Sequence, residues 1–158
     1  MRRARGFTLI EILVVVVILT VVVGMVGLNP FGDESRAVRE ESQRLALLIK
    51  AAREEAILEG RVLGVGLKED GYAFLTLNEK AELVPLEGDD LLRPRALPAA
   101  MTLEVETLAG GIDAKLPVIL LLPTGELERF VLRLKQGEVV YRVEGSGNGR
   151  IQSVAPNV

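Results

Sequence analysis

A single carboxylate stands inside an otherwise apolar run. Residues Phe7 to Leu28 read FTLIEILVVVVILTVVVGMVGL, and Glu11 is the one ionisable side chain among them. At about 1.5 Å of rise per residue, the run matches roughly the 30 Å hydrocarbon core of a bilayer. A charge in such a segment is costly and by default functional. The chemistry open to it is pairing. A buried charge is tolerated when an opposite charge meets it, and removing one partner strands the other. Glu11 lies only about 6 Å of helix rise from Phe7, so it enters near the interface and costs less than a mid-bilayer charge.

The rest of the chain offers little reactive chemistry. It has no His and no Cys. Triads built on His, Cys–His pairs and His- or Cys-based metal sites are therefore excluded, as is a disulfide framework. Asp89-Asp90 and Glu54-Glu55 are adjacent in sequence and read as solvated surface charge. The glycine-rich stretch Gly145 to Arg150, GSGNGR, fails the G-x-G-x-x-G pattern because Arg150 takes the last glycine position. Ile151 to Ala155 reads as a strand, whereas a phosphate cradle needs a helix behind the loop. The stretch is expected to be a flexible hairpin turn. No catalytic residue, cofactor or metal is expected, and the chain reads as a structural protein.

Arg2, Arg3 and Arg5 precede the run, and no Lys or Arg follows it before Arg36. The positive-inside rule puts the N-terminus in the cytoplasm and the remainder outside. That remainder, about 130 residues, is one ordinary domain large enough for its own core. The formal charge is −3, and without the three leader arginines the side-chain balance is more acidic still. Nucleic acid is not an expected partner.

Three readings compete for the N-terminal segment. A secretory signal peptide needs small residues at a cleavage site after its apolar stretch; here LNPFGDES follows. A plain membrane anchor fits the hydropathy but gives Glu11 and Gly6-Phe7 no role. The contiguous RGFTLIE, Arg5 to Glu11, resembles the class III leader of type IV pilins and type II secretion pseudopilins. The resemblance implies that a prepilin peptidase cuts between Gly6 and Phe7 and N-methylates Phe7. It also implies that Glu11 pairs with the N-terminal ammonium of a neighbouring subunit.

These residues must be held by the elements that follow. A helix is expected over about residues 33–58, capped by Asp33 or Ser35 and stopped by Gly60. Val38, Leu45, Ile49, Ala52 and Ala56 form one stripe at 3.6 periodicity, widened by Leu48. Gly24, Gly27, Pro30 and Gly32 weaken the connection to the apolar run. One long helix is expected from Phe7 to Leu58, roughly 78 Å, kinked or loosened there. Leu47 lies about half a turn from the stripe and should face away from the core. It is a candidate subunit contact, the alternatives being simple exposure or cover from the Leu91–Pro98 loop.

After Gly60 the period changes to two. RVLGVGL, YAFLTL, ELVPL, MTLEVE, PVILLLP, RFVLRL, EVVYRV and RIQSVA read as seven or eight short strands. Asp70-Gly71 is a hairpin signal, EGDDLLRPRALPAA and LAGGIDAK are loops, and Gly125 is a turn residue. The fold class is α+β, with a long N-terminal helix packed on antiparallel sheets.

Nearly the whole chain resembles one subfamily, the H-type minor pseudopilins and their FimT/FimU relatives. EEAILEGRVLGVGLKEDGYAFL, DDLLRPRALP, LLPTGELERFVLRL and GNGRIQSV carry that likeness. It implies a type IV pilin-like fold: residues 1–6 a cleaved basic leader, 7–28 the transmembrane and filament-core helix, 29–158 a periplasmic domain. The implied function is a structural subunit of the type II secretion pseudopilus, which drives folded proteins across the outer membrane. The implied partners are other major and minor pseudopilins, the prepilin peptidase/methylase, the inner-membrane assembly platform and, before assembly, inner-membrane lipid. Two alternatives stand beside it: a minor pilin of a type IV pilus, or an unprocessed membrane-anchored periplasmic binding domain. Some FimT-type pilins carry a C-terminal G-R-x-R signature tied to DNA uptake. Gly149 and Arg150 match it here, but Gln152 replaces the last Arg.

Overall fold

The computed structural model describes residues 9–26, 30–109 and 117–155. They form two compact units, residues 1–33 and 34–158. Helix α1, Leu9–Val26, has 18 residues, a rise of about 27 Å. Its apolar residues run round every side with no polar stripe, the pattern of a helix surrounded by apolar matter. Gly6, Phe7 and the expected weak point at Gly27 lie outside the described residues, as does the continuity from Phe7 to Leu58.

Helix α2, Pro30–Glu59, begins earlier than the sequence suggested. Asp33 and Ser35 therefore lie inside the helix and do not cap it. The other end is as expected. Gly60 takes φ +64°, and the Arg61 N–H reaches back to the Ala56 carbonyl at 3.2 Å. This is the six-to-one bond of a Schellman stop.

The stripe on α2 is the wall of the core. Val38, Leu45, Ile49, Ala52 and Ala56 are fully buried, and Ala46 and Leu48 nearly so. Each large side chain buried in this way contributes about 1.5–3 kcal/mol of transfer free energy. Against it lie two antiparallel sheets. The first holds β1 (Leu63–Lys68), β2 (Gly71–Leu77), β3 (Leu83–Pro85), β4 (Arg95–Ala96) and β6 (Val118–Leu121), in the order β3-β2-β1-β6. Strand β4 pairs with the start of β2 and β3 with its end. The second has the order β5-β7-β8-β9, from β5 (Thr102–Leu108), β7 (Phe130–Gln136), β8 (Val139–Gly145) and β9 (Ile151–Val154). Phe74, Phe130, Leu63, Ile119 and Leu132 from the two sheets meet the α2 stripe in one apolar cluster.

Two local expectations need correction. The stretch read as loop around Pro94 contains the short strand β4. Its arrival explains Gly71, which has no positive φ: a Cβ there would run into the Arg95 carbonyl. Gly145 belongs to β8 and not to the turn; it is buried because the Phe130 ring fills the space its Cβ would need. The turn proper is Ser146 to Arg150, with Gly149 at φ +81°. Of the expected LAGGIDAK loop, residues 110–116 lie outside the described residues.

Candidate assembly interface

Glu11 falls in the first turn of α1. Near the N-terminal end of a helix the dipole favours an anion. Thr20 satisfies its own hydroxyl by donating to the Val16 carbonyl at 2.5 Å, as apolar surroundings require. Leu9, Ile10 and the branched residues beyond them are exposed in the isolated chain. Among the described residues no helix is long and apolar enough to cross a membrane. The two residues of the run that precede α1, Phe7 and Thr8, fall outside that description.

In the second unit, Leu47 is 67% exposed on α2. Leu91, itself exposed, shares a groove of about 510 Å³ with it, between Arg44 and Arg95, and leaves Leu47 uncovered. The rim is charged. Arg36 donates to Glu40 at 2.8 Å, and that bond and its charge hold the Glu40 carboxyl below the usual range.

Polar contacts fix this helix to the sheets, and the sequence reading missed two of them, one buried and one half-buried. Glu41 is 3% exposed. It accepts the Tyr72 hydroxyl at 2.8 Å and Arg44 at 2.5 Å. Burial first, then this bond, push the Tyr72 phenol well above its ordinary value. Its position was the available signal: Glu41 and Ser42 occupy the stripe between Val38 and Leu45, where a polar residue needs a partner. Arg53 makes the second. Its guanidinium gives two hydrogen bonds, 3.0 and 2.5 Å, to the Gly125 carbonyl in the turn before β7. Gly149, in the β8–β9 turn, leaves the space that the same guanidinium occupies. One helical side chain thus anchors two turns, and Gly125 serves structure as its chemistry suggested.

The comparisons with known proteins agree with these features. The prokaryotic N-terminal methylation motif matches residues 1–27, and the type II transport protein GspH matches residues 41–149. The type II secretion system protein H of Pseudomonas aeruginosa is 38% identical over 149 residues, covering 86% of each chain. That of Aeromonas hydrophila is 32% identical over 155 residues, covering 86% of this chain and 84% of that one. A structure of the minor pseudopilin EpsH from Vibrio cholerae superposes with a TM-score of 0.65 at 23% identity, over 77% of this chain and 98% of that one. A second EpsH structure gives 0.66 at 22% identity, over 78% and 97%; at such identity these two speak for the fold. A methylation motif that takes in a helix apolar on all sides, with a GspH match over most of the remainder, places this chain in the GspH family, the H-type minor pseudopilins of type II secretion.

Proposed function

We propose that this membrane-anchored periplasmic pseudopilin is made as a precursor, cut between Gly6 and Phe7, methylated at Phe7, and drawn into the pseudopilus through α1. As a pseudopilin it associates with other pseudopilins. Before assembly the segment 7–28 spans the inner membrane once, N-terminus in the cytoplasm, with 29–158 as its periplasmic domain. A prepilin peptidase carries out both modifications, and an inner-membrane platform loads the subunit.

The observation that carries this reading is the contrast within α1: apolar on every side, with one carboxylate in its first turn. Such a helix buries itself in lipid or among other such helices. Packed in a filament, Glu11 meets the ammonium created at a neighbour's Phe7, and the two charges leave water together. The exposed Leu47 of α2 adds a lateral subunit contact in the same filament.

Glu11→Ala is the test. Membrane insertion should equal or exceed that of the native chain, because a desolvation cost disappears. Crosslinking to other pseudopilins should fall, because the neighbouring ammonium loses its partner. An unchanged crosslinking yield would remove the pairing from the reading.

A further inference from the structure

We propose that the free edge of β9, with the adjoining flank of α2, adds an extended acidic segment of a neighbouring pseudopilin as a new strand of the second sheet. The inference rests on the pseudopilin reading above.

The backbone comes first. The Ser146 N–H donates to the Arg150 carbonyl at 3.0 Å, closing the β8–β9 hairpin. Hydrogen-bonded and non-hydrogen-bonded pairs alternate along an antiparallel ladder. Gln152 opposite Glu144, and Val154 opposite Arg142, are therefore the bonded pairs. Ile151 and Ser153 then point their N–H and C=O groups away from β8. Since β9 ends its sheet, these groups have no ladder partner among the described residues. An edge of this kind is a template for a further strand.

The side chains shape a seat beside it. Ser153 and Ser42 share a hydrogen bond of 2.7 Å, which ties β9 to α2. Past that tie a groove of about 330 Å³ opens between β9 and the α2 flank, walled by Leu47, Lys50 and Ile151. An added strand would lay alternate side chains against Leu47 and Ile151 on one face and leave the others in water.

Charge selects the occupant. Lys50 lies in the groove, Arg150 directly precedes the strand, and Arg129 stands with Arg150 along a second groove on the outer face, where Glu144 is the one carboxylate. None of these three cations has an ion pair among the described residues. A second copy joined edge to edge would bring the same cations to the joint. An acidic extended segment satisfies backbone, groove and charge together.

The chain has no cysteine, so an introduced one is unique. Full-length Gln152→Cys should be loaded with a photocrosslinker in cells that carry the cognate secretion system. It should capture an acidic, extended stretch of another pseudopilin, identified by mass spectrometry. Lys50→Glu with Arg150→Glu should cut that yield about tenfold, as two lost and reversed surface pairs allow. Ile151→Pro removes an outward N–H that Ile151→Ala keeps, so only the proline should abolish capture. A crosslinker on Ile18→Cys in α1 reports filament assembly separately. Capture at 152 of a helical segment or of no pseudopilin, equal effects of Ile151→Pro and Ile151→Ala, or indifference to charge reversal overturns strand addition while capture at 18 persists. Loss of capture at 18 as well overturns the pseudopilin reading beneath it.

Discussion

Helices α1 and α2 follow one another in the chain and solve opposite problems. Helix α1 has no polar stripe and exposes leucine, isoleucine and valine all round. Helix α2 concentrates its burial on Val38, Leu45, Ile49, Ala52 and Ala56 and turns charge outward. The second helix finds its apolar partner within its own fold. The first must find one elsewhere, in lipid or in other subunits. Stability of the residues 34–158 unit and assembly of the filament should therefore respond to different substitutions.

The largest effect should come from the α2 stripe. Leu45→Asp places an unpaired charge at a fully buried site, which costs about 4 kcal/mol or more, a large part of a domain's total. In a fragment beginning at Glu34, the cooperative thermal transition followed by circular dichroism should be lost. A melting temperature like that of the native fragment would mean that α2 has no such division of faces.

An intermediate effect should come from Tyr72→Phe, which takes a hydrogen bond from the buried Glu41 at a cost of about 1–3 kcal/mol in denaturant unfolding. It also changes the response to alkali. The folded state holds the Tyr72 proton above the ordinary range, so this contribution is full below about pH 10 and falls as pH rises beyond it. The variant should lose less stability than the native protein above that point. An unchanged alkaline slope would show that Tyr72 does not titrate on unfolding.

The smallest effect on stability should come from Leu47→Lys, within about 0.5 kcal/mol as for most surface positions, while crosslinking to other pseudopilins drops. Destabilisation would move Leu47 into the core. Stability and crosslinking both unchanged would leave it simply exposed.

Periodicity made the two helices and most strands legible, because a buried stripe repeats every 3.6 residues and a half-buried strand every two. The residues that escaped are those whose reason lies far away in sequence. Gly71 is explained by Arg95, Gly145 by Phe130, and Arg53 by the Gly125 turn. Nothing local distinguishes Arg53 from the solvated arginines beside it. Glu41 escaped too, although its place on a buried stripe was a signal, since a carboxylate there needs a partner. The start of α2 was misplaced because Pro30 and Gly32 were read as weak points, whereas residues 30–33 are already helical. The candidate assembly residues Gly6, Phe7 and Glu11 come from a contiguous motif, and the candidate Leu47 from its place off the stripe.

The central claim is that α1 works as a processed filament helix rather than as a fixed anchor. The most direct measurement is the mass of the N-terminal peptide, recovered from membranes of a host that carries the cognate prepilin peptidase. The peptide should begin at Phe7 and carry one added methyl group. Recovery of the full-length chain alone, beginning at Met1, would contradict it.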